Sequence, residues 1–217
     1  TFAEEIVVPV VSLVPLPQDA SIQGASALGV AYLTAWRMVF GKTPTGPGDT
    51  VLVQGAGGGV SYAAMQLAKM SGASVIVSTT GPAKLDHFRQ LDVDVIDYGT
   101  EDVAKVVLRL TSGDGVDLVI DNIGEKTWPS SLRSLARGGH LVTCGATTGA
   151  HPSADTQRLF VRQLSVHGST MGNLEEFRRL VNAFTSGGFA PQIDSVFPLA
   201  EVPAAFERLE HPDRLGK

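Results

Sequence analysis

The sequence holds a single cysteine, Cys144, which excludes an internal disulfide and a cysteine-rich zinc cluster. Its five histidines are His87, His140, His151, His167 and His211. No two of them stand at the spacing that puts a pair of ligands on one helix face, so no metal site is expected from this chain. Long hydrophobic runs are also missing. None approaches the roughly 20 residues of a membrane span. Basic residues are absent from the start, Arg37 being the first, so neither the charged opening of a signal peptide nor an Arg-rich transit peptide is present. These absences lead to the expectation of a soluble, cytoplasmic protein without a membrane partner. Positive charge is in deficit overall: 17 Lys and Arg against 22 Asp and Glu give a net charge of −5. Nucleic-acid binding needs the opposite balance.

What is present is a globular composition. Hydrophobic residues make up 43% and charged residues 18% of the 217, enough for a packed core. The length allows one large domain, or one and a fraction. Glycine is abundant, with 24 residues and no Gly-X-Y period, as tight turns or a backbone close to a ligand require. The chain opens at Thr1 without Met and stops at Gly216-Lys217, and both ends are expected to be cut ends of a longer protein.

Residues 1–19 are apolar but broken by Pro9, Pro15 and Pro17, a pattern that predicts an extended edge strand and connector. From Gly24 to Phe40 the period is helical, with Leu28, Tyr32, Ala35, Trp36 and Val39 on one face. After the Pro44–Gly48 loop a regular alternation begins. Predicted strands lie at Val51–Val53, Val75–Val77, Val95–Ile96, Val116–Ile120 and Leu141–Thr143, with a sixth within Leu159–Val166. Helices are predicted after Gly59, from Pro82 to about Leu91, over Glu101–Leu110, over Trp128–Ala136 and from Leu174 to Phe184. Strands alternating with short helices imply βαβ units with right-handed crossovers. The predicted fold is therefore α/β, a doubly wound parallel sheet.

The informative segment is Val51-Leu52-Val53-Gln54-Gly55-Ala56-Gly57-Gly58-Gly59-Val60-Ser61. Its glycines fall between a buried strand and an amphipathic helix, where a tight turn admits a pyrophosphate to a helix N-terminus. Gly41-Lys42-Thr43 ends like a P-loop, but Trp36 occupies the required upstream glycine position. NAD binders place an acid about 20 residues beyond the glycines. Between Ser71 and Leu85 there is none; Thr79, Thr80 and Lys84 stand there instead. Hydroxyls and an ammonium suit a 2′-phosphate, so NADP (NADPH) is the expected cofactor, Lys84 as a solvated helix residue being the alternative. The missing acid also weakens an S-adenosylmethionine methyltransferase. A short-chain dehydrogenase needs Tyr-x-x-x-Lys, whereas Trp36, Gln66 and Asp102 follow the three tyrosines at that spacing.

An ordered set of segments resembles the medium-chain dehydrogenase/reductases, and within them the quinone oxidoreductase and zinc-type alcohol dehydrogenase-like branch. It comprises Leu33-Thr34-Ala35-Trp36, Gly48-Asp49-Thr50, the glycine loop with Gln66-Leu67-Ala68-Lys69, Asp97-Tyr98, Asp121-Asn122-Ile123-Gly124, Gly138-Gly139-His140 and Gly216-Lys217. The resemblance implies a Rossmann dinucleotide-binding domain over 24–190. Remnants of a GroES-like catalytic domain would lie at 1–23 and 191–217. It implies an NADPH-dependent oxidoreductase acting on a small-molecule quinone, enone or alcohol/carbonyl substrate. Thr34 would lie at the nicotinamide side, and Gly57, Gly58, Gly59 and Val60 at the pyrophosphate. Thr79, Thr80, Lys84 and Tyr98 would surround the adenosine phosphate; Asn122, Gly145 and Ala146 would line the strand ends, with Ser169-Thr170 near the carboxamide. It further implies a homodimer joined at the edge strand near Leu164–Gly168.

Three departures accompany the resemblance. Ser61 replaces the last glycine, the 91–97 segment is one residue short, and Val30 stands where zinc-dependent relatives often carry a third ligand. Zinc is therefore not expected in this chain, and its presence in a longer parent is open. No catalytic residue is named. Tyr98 is equally readable as a surface residue, and Cys144 as small core packing. The alternative function is a non-catalytic nucleotide-binding module with a structural or regulatory role.

Overall fold

The computed structural model describes residues 2–217. Helical structure begins at α1 (Ile22–Ser26) and continues through widened π turns on either side of α2 (Leu33–Trp36), ending at Lys42. The predicted helical face is the one that is buried, with Leu28, Tyr32, Ala35 and Val39 in the core.

The alternation then runs β1 (Thr50–Val53), α3 (Gly59–Met70), β2 (Ser74–Thr79), α4 (Pro82–Arg89), β3 (Asp94–Asp97), α5 (Val103–Leu110) and β4 (Val116–Asp121). It continues with α6 (Trp128–Ser134), β5 (Leu135–Thr143), α7 (Thr156–Arg162), β6 (Ser165–Gly168), α8 (Leu174–Thr185) and α9 (Val202–Glu210). The six strands are all parallel, in the order β3-β2-β1-β4-β5-β6. This is the doubly wound α/β fold expected, with β1 at the centre and the winding reversing between β1 and β4.

Side chains alternate across β1, so both faces are read from one strand. Val51 and Val53 join the core under α2, α3 and α8, while Leu52 joins Ile76, Val107 and Leu132 under α5 and α6. Helix ends are capped locally. Asp102 caps α5, Asp155 caps α7, and Asn173 with Glu176 forms a reciprocal capping box on α8.

Two expectations are corrected. Residues 2–19 contain no strand: the only regular structure there is a single turn at Val10–Ser12, with Ile6, Val7 and Val10 exposed. The prolines interrupt the ladder and no neighbouring strand pairs with the segment. The sixth strand is also displaced. Leu159–Arg162 belongs to α7, which the Asp155 cap initiates, and the strand starts only at Ser165. Gln163 in the left-handed region, φ 56°, makes that break.

Candidate functional site

The glycine loop leaves β1 at Gln54 and enters α3 at Gly59. Gly55 turns it at φ +62°, and the Gly58 N–H donates to the Gly55 carbonyl at 3.1 Å. Tyr62 is the first α3 residue whose amide returns to the turn, donating to Gly58 O at 2.8 Å. The amides before it belong to the unsatisfied, partly positive start of the helix.

Cations converge on this loop. A Cβ built on Gly57 would stand 2.9 Å from Lys84 Nζ, and one on Gly59 would meet the Lys217 side chain. Burial pushes both ammonium groups below the usual lysine range, and the charge of Arg214 adds to it. Arg214 donates to Gly216 O at 3.2 Å and leaves its buried Nε without a partner. The chain end reaches the loop because Gly58 and Gly216 form a parallel bridge, Gly216 N–H donating to Gly57 O at 3.2 Å. An ion-pair clamp holds that end in place. Arg208 grips Asp194 through Nε and Nη2 at 2.7 and 2.8 Å, and Asp194 also accepts from the Leu215 N–H at 2.9 Å. In the sequence Arg214 carries no assigned role and Lys217 stands out only within the closing Gly216-Lys217 segment, because their approach to the loop depends on the return of a distant segment.

The structure gathers most of the expected residues at the carboxyl ends of the strands. Asn122 follows β4, and its side-chain Oδ1 lies 3.3 Å from Ser61 Oγ of α3. Ser61, the departure from the last glycine, is thus used: its hydroxyl donates its one proton to Gln54 O at 2.9 Å. Gly145 and Ala146 follow β5 and pack on Asn122 and Gly124. At the other side Thr79 ends β2, and its carbonyl accepts from the Tyr98 N–H at 3.1 Å. Tyr98 is 49% exposed. Thr34 is placed apart from these groups, buried on α2 with its hydroxyl directed to Met171 Sδ at 3.7 Å. The loop after β6 carries Ser169, whose buried hydroxyl has no partner.

One acid beside these residues, Asp97, entered the sequence reading only within the Asp97-Tyr98 segment and without a role. Asp97 ends β3 in register with Thr79. Backbone donation from Gly99 and the hydroxyls of Thr80 and Thr100 hold its carboxyl below the usual range. The gap in acids after β2 is therefore filled from the next strand.

The residues fit a dinucleotide. A Cβ at position 57 or 59 would meet the side chains of Lys84 and Lys217, Arg214 stands with them, and unpartnered donors remain at Arg214 and Ser169. They do not fit a metal: among the described residues no three His, Cys, Asp or Glu side chains converge as ligands would. His140 and His167 do meet, ring to ring at 3.0 Å across β5 and β6, through strand pairing rather than helical spacing. No helix among the described residues is long and apolar enough to cross a membrane.

Comparison with known proteins agrees with this geometry. Residues 59–186 match the family model described as zinc-binding dehydrogenase. A zinc-type alcohol dehydrogenase-like protein of Schizosaccharomyces pombe is 32% identical over all of this chain, which covers 64% of that protein. The crystal structure of an NAD-dependent alcohol dehydrogenase superposes on 99% of the chain with a TM-score of 0.90 at 35% identity, the match covering 63% of its length. A quinone oxidoreductase of Pseudomonas syringae pv. tomato DC3000 gives 0.85 at 30% identity, covering 97% of this chain and 68% of that one. The chain thus spans less than two thirds of the first two relatives. From the glycine loop to α8 it belongs to the zinc-binding dehydrogenase family of medium-chain dehydrogenase/reductases.

Proposed function

We propose that this chain is the cofactor-binding part of an NADPH-dependent oxidoreductase that reduces a small quinone, enone or carbonyl compound. The convergence of Lys84, Arg214 and Lys217 on the glycine loop carries this reading. In a protein of net charge −5, three cations around a helix N-terminus complement a pyrophosphate and one more phosphate.

Under this reading the Gly57–Val60 backbone receives the pyrophosphate. Thr79, Thr80, Lys84 and Tyr98 surround the adenosine phosphate. Asn122, Gly145 and Ala146 line the strand ends, and Thr34 with the orphaned Ser169 hydroxyl lies toward the carboxamide. When bound, the nicotinamide supplies a hydride to an electrophilic carbon of the substrate. The chain's own part is to bind, orient and neutralise. Residues 24–190 form the dinucleotide domain, and 1–23 and 191–217 belong to a second domain. The exposed apolar side chains of Ile6, Val7, Val10 and Val196 support that division. β6 lies at the edge of the sheet, which supports pairing with a second copy into a homodimer.

Calorimetric titration of the 217-residue chain with NADPH and NADH tests the proposal. NADPH is expected to bind roughly 10- to 100-fold more tightly, with Lys84→Ala erasing most of the difference. Equal affinities overturn the preference for the phosphorylated cofactor, and no heat with either overturns the oxidoreductase reading.

A further inference from the structure

A continuous chain of hydrogen bonds runs beneath the glycine loop, and every link has only one possible direction. Asp121, at the end of β4, is fully buried. Its carboxylate accepts from the Ile123 and Gly124 amides at 2.8 and 3.2 Å and from the Thr127 hydroxyl. It also accepts from Ser131 Oγ at 2.7 Å. Ser131 has one proton and spends it there, so toward Gln54 it only accepts. Gln54 must then present its amide nitrogen to Ser131, at 3.1 Å, and its oxygen to Ser78. Ser78 donates to that oxygen at 2.6 Å and is left to accept from the Gly55 N–H at 3.2 Å. Gln54, Ser78 and Ser131 are all buried, so water does not offer these groups another partner.

We propose that Asp121 is a positioning residue for the cofactor loop, fixing through Ser131, Gln54 and Ser78 the direction of the Gly55 amide from which the loop turns. The proposal rests on the reading of that loop as a dinucleotide cradle. Gly55 lies in the left-handed region and its carbonyl holds Gly58, so its orientation is passed to the residues that face the pyrophosphate. A buried, fully satisfied network of this kind specifies one arrangement, whereas a reversed link leaves a group unpaired.

The reversal can be made and then undone. Asp121→Asn keeps the shape but turns an amide N–H toward Ser131, whose proton must then point at Gln54, and the sequence of donors breaks at Ser78. Gln54→Glu in the same chain restores it, because a carboxylate at position 54 accepts from both Ser131 and Ser78. The experiment measures NADPH affinity and the Gly55 amide signal in a 15N-labelled 217-residue chain, for D121N and for D121N with Q54E. D121N is expected to displace the Gly55 signal and to weaken NADPH about tenfold, and the double variant to recover both. A local structural role at β4 would not be rescued from position 54. A double variant no better than D121N overturns the proposal, as does a D121N protein with unchanged affinity and unchanged Gly55 signal. Should D121N alone fail to fold, recovery of folding and binding in the double variant supports the proposal, and its failure overturns it. If the unmodified chain binds neither cofactor, the oxidoreductase reading fails, while the Gly55 signal and its recovery still decide whether the relay exists.

Discussion

The Asp97 carboxylate stands beside the Thr80 hydroxyl, where β2 and β3 end together. This puts a negative charge next to the position assigned to the adenosine phosphate, while Lys84 leans over Gly57. Under the proposed reading, the balance between NADPH and NADH depends on these opposing charges. Asp97→Asn is expected to tighten NADPH about three- to tenfold and to leave NADH unchanged, since a unit charge a few ångströms away in a water-exposed site contributes on that order. Parallel titrations of both cofactors check it. A loss of NADH affinity would instead make Asp97 the acceptor for the ribose hydroxyl.

Gly55 adopts φ +62°, and a Cβ there would lie 2.6 Å from Ile123 Cδ1. Gly55→Ala combines backbone strain with a clash against the strand-end loop after β4. A loss of about 2–4 kcal/mol is expected from the two together, read from urea unfolding. Gly59→Ala meets only a lysine stem, so it should cost much less stability while weakening cofactor binding.

The guanidinium of Arg208 holds the Asp194 carboxyl well below the usual range, helped by the Ser195 hydroxyl and the Leu215 amide. A depressed carboxylate pKa contributes stability that is full above the unfolded value near 3.9 and is lost as pH falls through the folded one. Unfolding free energy should therefore fall below about pH 4. Arg208→Ala should reduce that acid-dependent loss and, by releasing Leu215 to Lys217, weaken NADPH at pH 7. A variant with unchanged acid sensitivity would contradict the account of the clamp.

Val166 is 41% exposed on β6, a strand with one unpaired edge. If two copies join there, Val166→Lys should place like charges across the seam and leave monomers. Light scattering after size-exclusion chromatography, at a concentration where the unmodified chain is dimeric, provides the measurement.

The regular parts of this protein were legible residue by residue. Val51, Leu52 and Val53, bounded by turn residues, announce a strand buried on both faces, and Val60, Ala63, Ala64 and Leu67 announce the helix that covers it. Glycines between the two mark the cradle, because only there does a missing side chain open backbone to an anion. These signals are local, set by period and by conformational freedom within a few residues. The Leu159–Arg162 segment was misread because its apolar residues fit a strand or a helix equally well, and the Asp155 cap decided the matter.

What only the tertiary structure decided depends on elements far apart in the chain. Parallel pairing of β2 with β3 brings Asp97 to Thr80, filling a gap in acids that reading along β2 alone reports as empty. The clamp of Arg208 on Asp194 returns Arg214 and Lys217 to a loop formed much earlier in the sequence. Gln54, Ser78, Ser131 and Asp121 come from the glycine loop, two strands and a helix, and no spacing relates them. Periodicity records which face of an element is buried; the partners that a polar group finds are chosen by sheet order and register, once the apolar faces have packed.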